Sequence, residues 1–167
     1  ILGAPNVGKS TLINRLVGAK VSIVSPKVQT TRARVRGIRI VGAAQLVLVD
    51  TPGIFHDAKR RLERAMVHAA WSGAQDADAI LLLIDAERGL DSNTRNIRDG
   101  LIKSGRKAVV AINKIDQVAH EKLLPLAASL DDGASTERIF MISALDGHGV
   151  EDLLDHLVGL LPKGPWL

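Results

Sequence analysis

Two short apolar runs constrain this chain more than any other feature. Ala79-Ile80-Leu81-Leu82-Leu83-Ile84 and Ala108-Val109-Val110-Ala111-Ile112 are continuous rather than alternating. A strand with one wet face alternates apolar and polar residues, so an unbroken run of strand length belongs to a strand covered on both faces. Such strands occur in parallel sheets sandwiched by helices, and the spacing of the runs matches repeated strand–helix units. The reading predicts strands over 36–42, 44–49, 79–85, 107–112 and 138–143, and helices over 9–18, 59–75, 91–104, 119–131 and 149–161. The last helix is amphipathic, because Val150, Leu153, Leu154, Leu157, Leu160 and Leu161 recur at three- and four-residue intervals.

A length of 167 residues fits one such domain with a full core. No apolar run approaches the roughly 18 residues of a membrane-spanning helix. Cysteine is absent, which excludes disulfides, thiolate metal sites and thiol catalysis. Aromatic residues are 2% of the chain, too few for a nucleic-acid surface built on stacking within these residues. The net charge of +4 is uneven. Residues 1–49 hold no Asp or Glu and carry +8, leaving −4 for the rest, so the N-terminal third is suited to an anionic partner. The five histidines show no ligand spacing and read as ordinary surface or boundary residues.

The motifs sharpen this. Gly3-Ala4-Pro5-Asn6-Val7-Gly8-Lys9-Ser10 is a G-x-x-x-x-G-K-[ST] phosphate loop at a strand–helix junction. Its backbone N–H groups must converge on phosphate oxygen, which the glycines permit, and the helix beginning at Lys9 points its positive end at the same place. Lys9 supplies a charge to the β- and γ-phosphates, and Ser10 a hydroxyl to Mg²⁺. Thr11 completes the nucleotide-binding loop. Leu46-Val47-Leu48-Val49-Asp50-Thr51-Pro52-Gly53 is an apolar strand ending in an acid. Asp50 can hold Mg²⁺ through water, and Gly53 can present a bare N–H to a γ-phosphate. Between these segments, Thr30 or Thr31 can supply a second Mg²⁺ ligand, with Thr31 preferred. Arg32, Arg34 and Arg36 would share one face of a strand, towards phosphate, RNA or solvent.

Asn113-Lys114-Ile115-Asp116 ends the second buried run. The Asp116 carboxylate can accept from the N1–H and 2-amino group of guanine, both of which adenine lacks, and sites of this kind discriminate by about 10⁴–10⁵. Lys114 can lay its stem along the base, and Asn113 can tie this segment to the phosphate loop. Ser143-Ala144 can bring a backbone N–H to the guanine oxygen.

These segments resemble, in order and over essentially the whole chain, the five sequence boxes of the GTPase superfamily. The finer resemblance is to the bacterial Era subfamily. It rests on Gly18 to Arg32, on Asp50-Thr51-Pro52-Gly53-Ile54-Phe55 and on the closing Gly164-Pro165-Trp166. The resemblance implies a Ras-like, mostly parallel six-stranded sheet flanked by helices. It also implies a switch that binds GTP and GDP with Mg²⁺ and hydrolyses GTP slowly, with Lys9, Thr31, Gly53 and Asn6 as the catalytic set. Ile54 stands where a water-orienting glutamine stands in Ras. In related loops the equivalent of Asn6 binds K⁺ beside the phosphates. A role in small-subunit assembly and 16S rRNA binding is implied through a KH domain beyond these residues, as is a cytoplasmic monomer, in some members peripheral at the inner membrane. Residues 1–162 are then the G domain, with its first strand truncated, and 163–167 the start of a linker. The alternatives are a nucleotide-sensing module that does not hydrolyse alone, an adenine-specific phosphate-loop enzyme, and a tandem-domain ribosome-assembly GTPase.

Overall fold

Leu81, Leu82, Leu83 and Ile84 are all essentially buried, and their side chains go alternately to two separate cores. Leu81 and Leu83 enter one, Leu82 and Ile84 the other, as the period of a strand requires when helices lie on both faces. The computed structural model describes residues 1–18, 34–50, 76–162 and 164. The expected helix over 59–75 lies outside them.

The described elements follow in the order β1 (Leu2–Gly3), α1 (Lys9–Val17), β2 (Arg34–Val41), β3 (Ala44–Asp50), β4 (Leu81–Asp85), α2 (Ser92–Lys103), β5 (Ala108–Asn113), α3 (Leu123–Leu130), β6 (Thr136–Met141) and α4 (Val150–Leu160). The strands β1, β4, β5 and β6 are parallel neighbours in that order. One core holds Leu12, Ile13, Leu16 and Val17 of α1 against Leu153, Leu154 and Leu157 of α4 and the sheet. The other holds Ile97 and Leu101 of α2 with Leu123 and Leu130 of α3.

Six strands are present among the described residues, but they pair as a four-stranded parallel sheet and a separate antiparallel hairpin of β2 and β3. The cause is the shortness of β1, whose two residues cannot carry a ladder on both edges. The Ile1 amine donates to the Val49 carbonyl at 2.6 Å, which sets β3 beside β1, and Leu46 and Leu48 join the α1 core.

Among the boundaries that differ from expectation, two matter to the site. The helix expected over 119–131 begins at Leu123, after a 3₁₀ turn over His120–Lys122. Pro125 lies in its first turn, where a missing N–H costs nothing. The strand expected over 138–143 runs Thr136–Met141. Ser143 instead donates to the His148 carbonyl at 2.9 Å, turning the chain into the loop before α4. Gly149 then enters α4 at φ 71°, and a Cβ there would collide with the Met141 carbonyl.

Candidate nucleotide site

The parallel strands deliver their C-terminal ends to one edge of the sheet, the usual place for a ligand in an α/β fold. β1 ends in Gly3, β4 in Asp85 and β5 in Asn113, and Asp85 lies in register with Asn113. The loop from Gly3 to Gly8 runs from β1 into α1 along this edge.

Each carbonyl of that loop has a partner. Lys9 Nζ donates to the Gly3 and Ala4 carbonyls at 2.9 and 3.0 Å. Arg88 donates to Pro5 at 2.9 Å, and Lys114 Nζ to Asn6 at 2.8 Å. Asn113 Nδ2 donates to Val7 at 2.9 Å, and the Leu12 N–H to Gly8 at 2.9 Å. In a trans peptide the N–H points opposite its carbonyl. Fixing the carbonyls therefore fixes the N–H groups of Ala4, Asn6, Val7, Gly8 and Lys9 as a ready set of donors. Gly8 is indispensable to this packing, since it caps α1 at φ 99° and a Cβ would run into the Asn113 amide.

Electrostatics favour an anion in the same place. No acid occupies the first turn of α1, whereas α4 carries Glu151 and Asp152 in its own. No acid in that turn offsets the positive end of α1, and Lys9 lies beside it. The chain thus offers donors, a helix terminus and an ammonium to one oxyanion group, which fits a nucleotide phosphate. Ser10 and Thr11 are exposed at the start of α1, and Asp50, the last residue of β3, follows the Val49 whose carbonyl accepts from the Ile1 amine. Among the described residues no group of three or more His, Asp or Glu could hold a metal alone. An Mg²⁺ ion here would draw on Ser10 and on phosphate and water oxygens. Thr30, Thr31, Arg32, Gly53, Ile54 and Phe55 lie outside the described residues.

Asn113 is buried and joins three segments. Besides its bond to Val7, its Oδ1 accepts the Ala144 N–H at 2.9 Å, so β5 holds the phosphate loop and the Ser143-Ala144 loop together. Ser143 is fully buried, and its Oγ accepts the Asp146 N–H. Of the two N–H groups that the sequence offers to guanine, that of Ala144 is thus held towards Asn113 and that of Ser143 towards the His148 carbonyl. Asp116 is exposed and lines an open cavity of about 520 Å³ with Ile115, His120, Asp146 and His148. Its carboxylate accepts no hydrogen bond among the described residues, leaving it available to a ligand.

Sequence reasoning overlooked three residues here. Asp85 accepts from Lys114 Nζ at 2.7 Å and from the Glu87 N–H at 2.9 Å. Burial pushes its carboxyl up, but the Lys114 hydrogen bond, the Glu87 and Arg88 N–H groups and the Lys114 charge outweigh this and hold it below the usual range. Arg88 holds Pro5, as described. Arg15 on α1 donates to the Ala144 carbonyl at 3.1 Å and to that of Leu145, setting the loop that faces the base. Asp85 had a readable signal, for an acid directly after a doubly buried strand must sit at the ligand edge. Arg15 had none, because its partner is 129 residues away.

Comparison with known proteins agrees with this geometry. Residues 1–114 match the family of 50S ribosome-binding GTPases. GTPase Era of Rhizobium meliloti (strain 1021) is 59% identical over 99% of this chain and 53% of its own length. The structure of Era in complex with MgGDPNP and nucleotides 1506–1542 of 16S ribosomal RNA superposes with a TM-score of 0.80. It is 40% identical over 99% of this chain and 57% of that one. A point variant of Aquifex aeolicus Era bound to GDP·AlF4⁻ gives a TM-score of 0.78 at 40% identity, over 98% of this chain and 56% of that one. The chain spans about half the length of the curated relatives it matches. The chain belongs to the 50S ribosome-binding GTPase family, and its likeness to the Era GTPases extends over nearly all its residues.

Proposed function

We propose that this domain binds guanine nucleotides with Mg²⁺ and hydrolyses GTP slowly, as a switch. The observation that carries the proposal is the phosphate loop whose carbonyls are all engaged from behind, with an Asp116 carboxylate unengaged among the described residues beside the same strand end. The loop N–H groups and Lys9 bind the β-phosphate region, while Asp116 selects guanine. Ser10, with Thr31 and Asp50, holds Mg²⁺, whose chemistry is to neutralise phosphate charge. Gly53 contacts the γ-phosphate through its N–H. Ile54 has no group to orient water, so turnover is slow unless Asn6 recruits K⁺ to stabilise the developing charge.

Residues 1–162 constitute the nucleotide domain and 163–167 begin a linker. By likeness to the Era structure with 16S rRNA, the whole protein acts on the small ribosomal subunit and binds rRNA through a further domain. We place it in the cytoplasm. No helix among the described residues is long and apolar enough to cross a membrane. The test is displacement of a fluorescent GDP analogue from the protein by GTP, GDP and ATP. Displacement by GTP and GDP at concentrations where ATP is inert is expected. Equal potency of ATP would refute the assignment of Asp116, and no binding of the analogue would refute the whole reading.

A further inference from the structure

The turn that follows β4 does something for the phosphate loop that no nucleotide-binding motif accounts for. Asp85 is 4% exposed and ends β4. Its Oδ2 binds Lys114 Nζ at 2.7 Å, and its Oδ1 accepts from Glu87 and Arg88 N–H groups at 2.9 and 3.4 Å. Both outputs reach the loop, for Lys114 Nζ donates to the Asn6 carbonyl and Arg88 to the Pro5 carbonyl. These two carbonyls belong to the middle of the loop, and Asn6 has the left-handed conformation, φ 63°, which asparagine tolerates better than most non-glycine residues.

Without Asp85 two things change together. The Lys114 ammonium loses its counter-charge, so it is no longer held at Asn6. The turn loses the acceptor that shapes it, so Arg88 is no longer presented to Pro5. A buried carboxylate that fixes one cation by charge and a second by backbone geometry is a brace. We propose that Asp85 and Arg88 are positioning residues for the nucleotide phosphates, acting through Lys114, Asn6 and Pro5 to hold the loop donors in their binding arrangement. The inference rests on the function proposed above and adds two residues to its machinery.

The experiment measures GDP dissociation from the purified protein and from Asp85→Asn, Asp85→Glu, Arg88→Ala, Lys114→Met and the Asp85→Asn/Lys114→Met pair. Urea unfolding of each is recorded without nucleotide. Asp85→Asn should release GDP about tenfold faster or more, the effect of losing a charged hydrogen bond. Asp85→Glu should recover part of that loss. In the Lys114→Met background Asp85→Asn should add only the small share that passes through Arg88, because its main route is gone. Arg88→Ala should speed release several-fold with an unchanged urea midpoint. If Asp85→Asn does not fold, Arg88→Ala alone decides. Release at the unsubstituted rate in Arg88→Ala overturns the brace, as does an undiminished effect of Asp85→Asn beside Lys114→Met. Failure of the unsubstituted protein to bind GDP at all overturns instead the function on which the brace depends.

Discussion

Asn113→Asp isolates the bond between β5 and the phosphate loop with almost no change of shape. The native amide is 2% exposed, donates to Val7 and accepts from Ala144, both at 2.9 Å. Its orientation is fixed by its partners, since a carbonyl only accepts and an N–H only donates. The substituted carboxyl keeps the Ala144 bond in either protonation state. It can donate to Val7 only when protonated; when ionised it faces that carbonyl with no proton and no charge partner. Its folded pKa therefore rises above the unfolded value of about 3.9. Burial alone can raise a carboxyl by about 3–5 units, and the retained N–H offsets part of this, leaving roughly 2–3 units. At 1.36 kcal/mol per unit the ionised form costs about 3–4 kcal/mol of stability. The sign follows directly. Stability is intact below the unfolded pKa, is lost as pH rises from about 4 towards the folded pKa, and is constant above it. Urea unfolding of both proteins without nucleotide, every half unit from pH 4 to 8, gives this as a difference in which shared groups cancel. The gap should be about 1 kcal/mol or less at pH 4 and about 3–4 at pH 8. A gap that is flat across the range, or that narrows as pH rises, would show that the Val7 bond does not hold the loop.

Three further outcomes are expected. Leu83→Ala, at a fully buried position in the centre of β4, should cost about 2–5 kcal/mol in urea unfolding; a loss under about 1 would mean the core is not packed as described. Asp132 is raised by burial but lowered more by the Ser135 hydroxyl and N–H, Arg98 and the Ala134 N–H, so its carboxyl titrates well below the ordinary range. Its contribution is present above pH of about 4 and lost on acidification. Asp132→Asn should cost about 1 kcal/mol at neutral pH, after allowance for solvent screening, and the difference should vanish in acid; a difference that widens in acid contradicts the assignment. Single-turnover GTP hydrolysis at equal ionic strength should be faster in K⁺ than in Na⁺, and Asn6→Ala should abolish the preference. Retention of the preference by that variant removes Asn6 from the cation site.

What could be read from the sequence depended on how local each signal is. The buried strands β4 and β5 were legible because every residue in them but the last is apolar and both sheet faces are covered, a property of the strand itself. The start of β6 was not, because Thr136 and Glu137 look like a loop; Glu137 is exposed at the edge of the sheet, where polar side chains are tolerated. Glycines and Lys9 were legible from spacing alone. Asp85 needed one tertiary fact, that β4 and β5 run in register to the same edge. Arg15 needed the full fold, since α1 and the Ala144 loop are distant in sequence.

The junction after β5 shows why the phosphate and base sites behave as one unit. Successive residues of a strand point to opposite faces, so Asn113 and Lys114 could not both reach the phosphate loop if β5 simply continued. Lys114 escapes this by adopting φ 66°, a conformation that costs roughly 1–2 kcal/mol outside glycine. The turn brings both side chains to adjacent carbonyls of one loop, Asn113 to Val7 and Lys114 to Asn6. It also throws the chain into the 3₁₀ turn Ile115–Gln117, which carries Asp116 round to the cavity. A single strained residue thereby fixes the loop on one side and the base-reading carboxylate on the other. The strain is tolerated because Asp85 and the Asn6 carbonyl hold the Lys114 ammonium. Any displacement of the phosphate loop must then be felt at Asp116, through bonds rather than through a chain of loose contacts.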